Sequence, residues 1–354
     1  MKTTEEMMSD VITAGGSDLH LTVGSPPGVR VDGNLRAVEG AAALTMADTE
    51  RLCRELCNDR QWQELEAEGG SDFGVAHPSG DRFRVSVMRQ RGHYGAVLRL
   101  IPQKIFDIYD LGLPEASLDL LTRPRGLILV TGPTGSGKST SLASMLDWIN
   151  RNRERHIITI EDPIEYYHDH KKSIVVQREV GVDVPDFAEA LRRALRQDPD
   201  VILVGEMRDL ETISAAITAA ETGHLVFGTL HTTGSARTMD RIIDAFPANQ
   251  QDQIRAQLST SIQAVISQVL LPRADGNGRV AAFEVMLMNP AIGNLIRKGE
   301  THKIQSTIQT SKRFGMITLD DYLLDLARRG EITPEVAVEA AQNREDLSAR
   351  LNIG

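Results

Sequence analysis

The sequence contains very little cysteine, which excludes disulfide-rich proteins and cysteine-ligated zinc proteins. Only two cysteines, Cys53 and Cys57, occur in 354 residues, and both lie in a polar, helix-like stretch. One pair four residues apart provides neither a disulfide framework nor the four ligands of a structural zinc site. We interpret both as reduced thiols on a helix.

Basic and aromatic residues are also few, which argues against a nucleic-acid-binding protein. Acidic residues outnumber basic ones by 49 to 39, the formal net charge is −10, and aromatic residues make up 4%. Proteins that bind duplex DNA usually present a positive surface, and single-strand binders stack bases on aromatic side chains. We therefore expect no nucleic-acid partner.

Long apolar runs are absent as well. No stretch approaches the roughly 20 apolar residues that span a bilayer. Residues 1–10 lack the basic-then-apolar order of a secretory signal. The sequence predicts a cytoplasmic protein, with any membrane association made through partners.

What is present in the amino-terminal part predicts a small α+β domain at residues 1–102. Four short alternating segments are typical of strands: residues 19–23, 29–31, 82–88 and 95–101. Asp32-Gly33 predicts a hairpin turn. Residues 45–65 are predicted to be helical, with Thr45 as the N-cap.

Beyond a predicted linker at 103–118, the pattern changes to that of an α/β domain at 119–289. Four nearly continuous apolar runs indicate strands buried on both faces: residues 127–130, 157–160, 201–204 and 225–230. Helical stretches separate them, as in a sheet covered by helices.

From residue 249 onward the pattern is mainly helical. An apolar stripe is formed by Ile254, Leu258, Ile262, Ile266 and Val269. We predict a helical carboxyl-terminal region at 290–354, with later helices beginning near Thr318 and at Thr333-Pro334.

The strongest chemical signal is a phosphate-binding loop that follows the first of these apolar runs. It comprises Gly132, Pro133, Thr134, Gly135, Ser136, Gly137, Lys138 and Ser139, with Thr140 next in the predicted helix. Glycines let backbone N–H groups surround phosphate oxygens. Lys138 is placed for the β and γ phosphates of ATP, and the Ser139 hydroxyl for Mg²⁺.

Acidic residues follow two further apolar runs. One run ends in Glu206, and the other is followed by the cluster Glu161, Asp162 and Glu165. Parallel sheets place their ligands at these strand ends. Hydrolysis needs a carboxylate near the metal and a group that activates water, so both clusters are candidates.

Two histidines, His224 and His231, bracket the apolar run 225–230. At opposite ends of one strand they would lie too far apart to share a metal ion. Two readings remain: loop histidines that flank a capped strand, or Thr229 and His231 as sensors of the γ-phosphate.

Several motifs resemble those of the secretion-type ATPases of type II secretion and type IV pili, and within them the PilT retraction ATPases. Four segments carry the resemblance, and their order and spacing make it specific: residues 17–33, 160–165, 195–209 and 222–233. The resemblance implies a RecA-like P-loop ATPase core, a PAS-like amino-terminal domain and a hexameric ring.

The resemblance also implies roles for individual residues. Glu165 corresponds to the general base and Glu206 to the acid near Mg²⁺, while His224 and His231 correspond to phosphate-sensing or ring-coupling residues. Family motors draw arginines from the amino-terminal domain into the nucleotide site. The candidates here are Arg82, Arg84, Arg89, Arg91 and Arg99, of which we favour Arg84 and Arg99 because transferred phosphoryl groups are stabilised by guanidinium.

Two features favour retraction over assembly motors. The chain lacks the tetracysteine zinc insertion and the long amino-terminal extension of assembly-type relatives. Residues 291–297, AIGNLIR, resemble the retraction family's AIRNLIR motif, with Gly293 in place of arginine. Glycine inside a helix costs about 1 kcal/mol, which puts the local helix and any contact of that arginine in doubt.

We therefore predict a motor that retracts type IV pili and supports twitching motility. Its implied partners are further copies of the chain, an inner-membrane pilus platform protein and possibly a paralogous retraction ATPase. Two alternatives are an accessory ATPase or nucleotide-dependent adaptor that acts with a partner motor, and a RecA-like nucleic-acid motor.

Overall fold

A computed structural model describes residues 2–31, 33–101 and 104–352. The chain divides into two compact units, Met1–Lys104 and Ile105–Gly354. The predicted boundary at 102/103 falls on residues outside the described part. The predicted linker contains a 3-10 turn, Ile108–Leu111, and Ile108 is buried in the core of the second unit.

The first unit contains six strands and three helices within its described residues. The strands are β1 (Asp18–Leu21), β2 (Gly28–Val31), β3 (Asn34–Ala37), β4 (Gly70–Ala76), β5 (Arg82–Gln90) and β6 (His93–Ile101), and the helices are α1 (Thr4–Thr13), α2 (Met46–Leu56) and α3 (Asp59–Glu68). The strands form one sheet in the order β3-β2-β1-β6-β5-β4, and every neighbouring pair is antiparallel.

Side chains alternate across this sheet as the sequence pattern requires. One face presents the apolar row Val29, Leu19, Leu98, Val85 and Phe73, which belongs to the buried core of the unit. The other face is polar. This confirms the strand predictions, and it leaves one face of the sheet for charged residues.

The predicted single helix at 45–65 is wrong in one respect, because it is two helices. Thr45 caps α2 as predicted, accepting a hydrogen bond from the Asp48 amide. Cys57 is extended, and Asn58 then caps α3. Asn58 competes for backbone N–H groups, which favours a helix start over a helix interior. Asp32 of the predicted turn lies outside the described residues, although Val31 and Asn34 pair across it.

The second unit contains seven strands and ten helices among its described residues. Its strands are β7 (Gly126–Thr131), β8 (His156–Glu161), β9 (Ile174–Glu179), β10 (Val201–Val204), β11 (Leu225–Leu230), β12 (Ile262–Pro272) and β13 (Arg279–Leu287). Its helices are α4 (Lys138–Asn152), α5 (Phe187–Ala194), α6 (Leu210–Glu221), α7 (Ser235–Asp244), α8 (Gln251–Ser261), α9 (Pro290–Lys298), α10 (Ile304–Thr310), α11 (Leu319–Arg328), α12 (Pro334–Ala340) and α13 (Arg344–Leu351). Shorter 3-10 helices lie at Ile108–Leu111, Glu115–Thr122, Thr301–Lys303 and Lys312–Phe314.

The seven strands form a sheet in the order β13-β12-β7-β11-β10-β8-β9. All neighbouring pairs are parallel except β12 with β13. Leu127 and Leu129 enter the core on one face, and Ile128 and Val130 enter the core on the other. The sheet is therefore covered on both faces, as the continuous apolar runs predict.

The predicted helical stripe through Ile262, Ile266 and Val269 is wrong, because these residues lie in strand β12. Helix α8 supplies Ile254 and Leu258 and ends where Ile262 turns extended, with ψ of 136°. A short apolar run matches a buried strand as well as a helix. Here β-branched side chains and pairing with β7 decide for the strand.

Helix α9 is continuous across Gly293, so the glycine that replaces the family's arginine does not interrupt the helix. Asn289 caps its amino end, Pro290 occupies the first turn, and Gly299 ends it in a left-handed conformation. A Cβ at Gly293 would lie 3.2 Å from the Ser259 carbonyl oxygen, so glycine permits a close approach of α8 and α9. Strong caps at both ends offset the cost of the glycine.

The two helices predicted near Thr318 and at Thr333-Pro334 begin as predicted. Thr318 caps α11, and Thr333 caps α12 with Pro334 in its first turn. No helix among the described residues is long and apolar enough to cross a membrane.

Candidate functional site

The predicted phosphate-binding loop joins β7 to α4. Gly135 and Gly137 have φ values of 78° and 89°, which glycine adopts without steric cost. A Cβ at Gly135 would meet nothing within 4 Å, so the loop faces open space there. Pro133 and Thr134 are exposed on the same loop, and Ser136 is buried. The loop presents the amino end of a 15-residue helix to an anion.

Lys138, the first residue of α4, lies over this loop. Its Nζ donates hydrogen bonds to the carbonyl oxygens of Gly132 and Pro133, at 2.9 and 3.1 Å. Burial lowers the pKa of Lys138, while the carboxylates of Glu206 and Glu165 act in the opposite direction. The ammonium group is thus held between the loop and two acidic residues from other strands.

Ser139 and Thr140 occupy the first turn of α4 and are half-buried. The Thr140 hydroxyl lies 2.9 Å from the hydroxyl of Tyr166. Tyr166 is buried and directly follows Glu165 in the chain. This contact ties the acidic loop after β8 to the helix that follows the phosphate-binding loop.

The acidic cluster after β8 separates into groups with different environments. Glu161 accepts hydrogen bonds from the Thr159 hydroxyl at 2.6 Å and from the Gln177 amide at 3.3 Å. Burial raises the pKa of Glu161 to about 7, although these hydrogen bonds lower it. Asp162 is exposed, and Glu165 is half-buried. Glu165 is therefore the member of the cluster that combines partial access with proximity to Lys138.

Glu206 follows β10 and contacts two basic side chains. The guanidinium Nη2 of Arg208 lies 2.6 Å from its Oε2, and Nε2 of His231 lies 3.1 Å from its Oε1. Burial raises the pKa of Glu206, but Arg208 and His231 lower it by more, and the net pKa is below the ordinary value. Glu206 is therefore ionised at neutral pH, as a metal ligand must be.

The two histidines lie at opposite ends of β11, as the sequence predicts. His231 follows the carboxyl end and contacts Glu206. His224 precedes the amino end, where its Nδ1 lies 3.0 Å from the Ala219 carbonyl oxygen. Thr229 donates a hydrogen bond from its hydroxyl to the Gly205 carbonyl, which links β11 to the turn that carries Glu206. Only His231 of the pair belongs to the acidic end of the sheet.

The loop after His231 is anchored by a fully buried carboxylate. Glu284 on β13 accepts hydrogen bonds from the Ser235 amide and hydroxyl, at 2.7 and 2.8 Å. The Gly234 amide donates to the Ser267 hydroxyl at 2.8 Å. These contacts fix the start of α7 and therefore the loop that leads from His231.

Arg84 and Arg99 lie in the first unit, opposite each other on β5 and β6. Both are exposed. Arg99 donates from Nε to Asp18 at 2.8 Å, and Arg30 lies 3.8 Å from the same carboxylate. The polar face of the six-stranded sheet thus carries a row of arginines around one buried aspartate.

The predicted residues of the second unit other than His224 meet at one edge of the sheet, where β7, β8, β10 and β11 end. The loop supplies N–H groups and an ammonium, and the neighbouring strands supply Glu165, Glu206 and His231. No group of three or more His, Cys, Asp or Glu side chains suited to hold a metal ion occurs among the described residues. Mg²⁺ in nucleotide sites is commonly held by one or two protein oxygens plus phosphates, and Ser139 and Glu206 fit that donor set.

Sequence reasoning missed three residues that organise this edge: Arg208, Tyr166 and Gln268. Arg208 lies two positions after Glu206, so an arginine beside a strand-end acid is a usable signal. Tyr166 is an aromatic directly after Glu165. Gln268 lies in the middle of a mainly apolar strand, which is a signal for a buried polar contact. It donates from Nε2 to the Ser136 carbonyl at 2.7 Å.

Comparison with known proteins places these motifs in a family context. The family model described as type II/IV secretion system protein matches residues 1–321. The type IV pilus retraction ATPase PilT of Pseudomonas aeruginosa is 50% identical over 342 residues, which cover 97% of this chain and 99% of the relative. The type IV pilus ATPase PilU of the same organism is 41% identical over 350 residues, or 99% of this chain and 91% of that protein.

A crystal structure of the pilus retraction motor PilT with bound ADP is similar in fold. Its TM-score is 0.92 at 49% sequence identity, and the alignment covers 99% of this chain and all of that chain. The ligand of that crystal structure is a nucleotide.

Proposed function

The chain belongs to the type II/IV secretion system protein family, and we propose that it is an ATP-hydrolysing motor that drives retraction of a type IV pilus. One observation carries the enzymatic part: the ammonium of Lys138 lies on the phosphate-binding loop within the electrostatic reach of both Glu165 and Glu206. The similarity to PilT over nearly the whole chain supports the mechanical part.

We assign the binding step to the loop and Lys138. The backbone N–H groups of the phosphate-binding loop donate hydrogen bonds to oxygens of the β and γ phosphates of ATP. Lys138 exchanges its hydrogen bonds with Gly132 and Pro133 for phosphate oxygens. The two carbonyl groups keep the ammonium near the loop until ATP arrives.

We assign the chemical step to Glu165. Its carboxylate takes a proton from water, the water oxygen attacks the γ phosphorus, and the bond to the β-phosphate oxygen breaks to release ADP and phosphate. Ser139 and Glu206 would hold Mg²⁺, which would neutralise charge on the phosphate oxygens. Arg208 and His231 orient Glu206 for that task, and His231 senses the state of the γ-phosphate through the same contact.

We extend the proposal to the assembly. The chain acts as a homohexameric ring at the cytoplasmic side of the inner membrane, where it passes motion to a pilus platform protein. In that ring Arg84 and Arg99 approach a nucleotide. Nucleic acid is not among the expected partners. The similarity to PilT, a retraction ATPase, supports the assignment to retraction and twitching motility.

The decisive test combines turnover with motility. Purified chain should release phosphate from ATP only with Mg²⁺. A strain lacking the gene should be hyperpiliated and unable to retract or twitch, and the wild-type gene should restore retraction whereas a Lys138→Ala copy should not. Absence of Mg²⁺-dependent turnover at every oligomeric state would refute the enzyme, and normal retraction in the deletion strain would refute the motor.

A second candidate is an accessory ATPase that acts with a partner motor. PilU, a type IV pilus ATPase of the same organism as PilT, is 41% identical over 99% of the chain, and this similarity supports the second candidate. Sizing with and without ATP, together with phosphate release, separates the two. A hexamer with robust turnover that retracts pili alone supports the motor, whereas a requirement for a paralogue supports the accessory function.

A further inference from the structure

Strand β12 brings one glutamine to the start of the phosphate-binding loop. β12 runs parallel to β7, with Ser267 opposite Thr131, so Gln268 lies beside Gly132 where the loop begins. The side chain of Gln268 is only 3% exposed. A buried amide requires hydrogen-bond partners, and its partners here lie in the loop and in α4.

The Gln268 side-chain amide donates one hydrogen bond and accepts another. Its Nε2 donates to the Ser136 carbonyl oxygen at 2.7 Å, and its Oε1 accepts from the Ser141 hydroxyl at 2.8 Å. A carboxylate could satisfy only the second contact, and an apolar side chain could satisfy neither. The position therefore selects an amide.

Two glycines of the loop pack closely against Gln268. A Cβ on Gly132 would lie 2.2 Å from the Gln268 carbonyl oxygen, and a Cβ on Gly137 would lie 2.8 Å from its Nε2. A side chain at position 132 would clash with the backbone of β12, and a side chain at position 137 would clash with the Gln268 amide. The two glycines and Gln268 thus form one tightly packed unit beneath the loop.

The Ser136 contact determines where a backbone donor points. In a planar trans peptide the C=O of one residue and the N–H of the next point in opposite directions. Because Gln268 holds the Ser136 carbonyl toward β12, the N–H of Gly137 points away from β12 and toward the open side of the loop. That N–H is one of the donors a phosphate would use.

We propose that Gln268 is a positioning residue that holds the phosphate-binding loop in its nucleotide-accepting conformation. This inference rests on the proposed ATPase function for its biological meaning, because the ligand concerned is a nucleoside di- or triphosphate. Gln268 acts through Ser136 and Gly137, so the loop is formed before a nucleotide binds and little conformational freedom remains to be lost on binding.

The sharpest variant is Gln268→Glu in the full-length protein, because it keeps size and shape and replaces one N–H donor by oxygen. At pH 8 a carboxylate would face the Ser136 carbonyl. We expect the Kd for ADP and the KM for ATP to rise about tenfold, the size expected when a buried acceptor loses its donor, with a smaller change in kcat. Lowering the pH protonates the carboxyl, restores a donor and reduces the ratio of variant to wild-type Kd.

The matched control is Gln263→Glu, the same change on the same strand but at its amino end, away from the loop. We expect its Kd to stay within about twofold of wild type, as for a substitution remote from the site. Amide hydrogen exchange of residues 132–139 in nucleotide-free protein gives a readout that needs no turnover. Exchange should accelerate in Gln268→Glu and remain unchanged in Gln263→Glu.

Different results would refute the role of Gln268 and the proposed ATPase function. Unchanged Kd and unchanged loop exchange in a folded Gln268→Glu protein would overturn the role of Gln268 while leaving ATP hydrolysis intact. Wild-type protein that binds ADP but hydrolyses no ATP would overturn the enzyme and leave the loop inference standing. If Gln268→Glu does not fold, Ser141→Ala tests the same role. Loss of the hydroxyl that orients the Gln268 amide should raise the Kd for ADP about threefold. An unchanged Kd would overturn the proposal.

Discussion

The two sheets of the molecule carry their charged residues in different places. In the seven-stranded sheet the neighbouring strands β7, β8, β10 and β11 are mainly apolar, and Glu161, Glu206 and His231 stand at or beyond their carboxyl ends. In the six-stranded sheet Arg84 and Arg99 lie within the strands, on the polar face. A sheet with helices on both faces leaves only its edges for chemistry, whereas a sheet with one free face can use that face.

Two carboxyl groups, the half-buried Glu161 and the buried Asp18, make the comparison quantitative. Burial raises the pKa of Glu161 to about 7, and its hydrogen-bond partners are neutral. Burial also raises the pKa of Asp18, but hydrogen bonds from Arg99 and Ser17 lower it by more, so the net pKa is below the ordinary value. Carboxyl groups without a cation resist ionisation, and those beside a guanidinium favour it.

The largest expected effect is that of Lys138→Ala at the edge of the seven-stranded sheet. Loss of the ammonium leaves the transferred phosphoryl group without its main protein cation, and we expect the rate of phosphate release to fall by about a thousandfold or more. Phosphate release by purified protein measures this. Lys172→Ala, an exposed lysine of the same unit, is the control, and retention of a tenth or more of the wild-type rate by Lys138→Ala would contradict the assignment.

Glu165→Gln should separate binding from chemistry. Removing a general base lowers kcat by about 100- to 10,000-fold, while the loop still binds ATP, so ATP should be trapped on the protein. Rapid filtration with labelled ATP detects the trapped nucleotide. Asp169→Asn, an exposed acid of the same loop, should behave as wild type, and turnover by Glu165→Gln within fivefold of wild type would exclude Glu165 as the base.

Glu161→Gln tests the burial of a carboxyl group without a cation. Its pKa of about 7 exceeds the value of 4.5 that a glutamate has in an unfolded chain, so the folded protein binds more protons than the unfolded chain between these values. The free energy of unfolding therefore falls as pH rises through this window, by up to about 3 kcal/mol. Chemical denaturation at pH 5 and pH 8 should show this slope for wild type and a smaller slope for Glu161→Gln. An identical slope in both would contradict the buried, unpaired environment.

Arg84→Ala tests whether the free face of the six-stranded sheet serves the nucleotide. We expect kcat to fall about tenfold with a nearly unchanged Kd for ADP, since a guanidinium that stabilises developing charge acts mainly in the transition state. Arg36→Ala, on the exposed edge strand of the same sheet, is the control. Equal kcat values for both variants would restrict the chemistry to the seven-stranded sheet.

Asp18→Asn should give the smallest effect, with a pH dependence of opposite sign to that of Glu161→Gln. Asp18 has a lowered pKa, so its contribution to stability is present above the unfolded pKa and is lost as pH falls below about 4. Its partner Arg99 is solvent-exposed, and we expect less than about 1 kcal/mol at neutral pH. Denaturation at pH 7 and pH 3 checks the sign. The destabilisation caused by Asp18→Asn should be larger at pH 7 than at pH 3, and a larger destabilisation at pH 3 would contradict the ion pair.

Much of the fold could be predicted from local pattern. The apolar runs at β7, β8, β10 and β11, the alternating strands β5 and β6, and the caps at Thr45, Thr318 and Thr333 all depend on residues close together in the chain. The predictions failed where neighbours in space decided. Residues 262–269 fit a helix by spacing, but β7 pairs with them as a parallel strand. The break at Asn58 is an exception, because Asn58 caps α3 through a local contact that periodicity alone does not reveal.

The sequence by itself determined the phosphate-binding loop and the strand-end acids, because glycine spacing, one lysine and carboxylates after buried strands are properties of consecutive residues. Only the tertiary structure decided that Arg208 and His231 share Glu206, that Tyr166 reaches Thr140, and that Gln268 supports a loop 132 residues earlier in the chain. Those contacts arise because parallel strands remote in sequence end at one edge, and no local pattern records which side chains meet there.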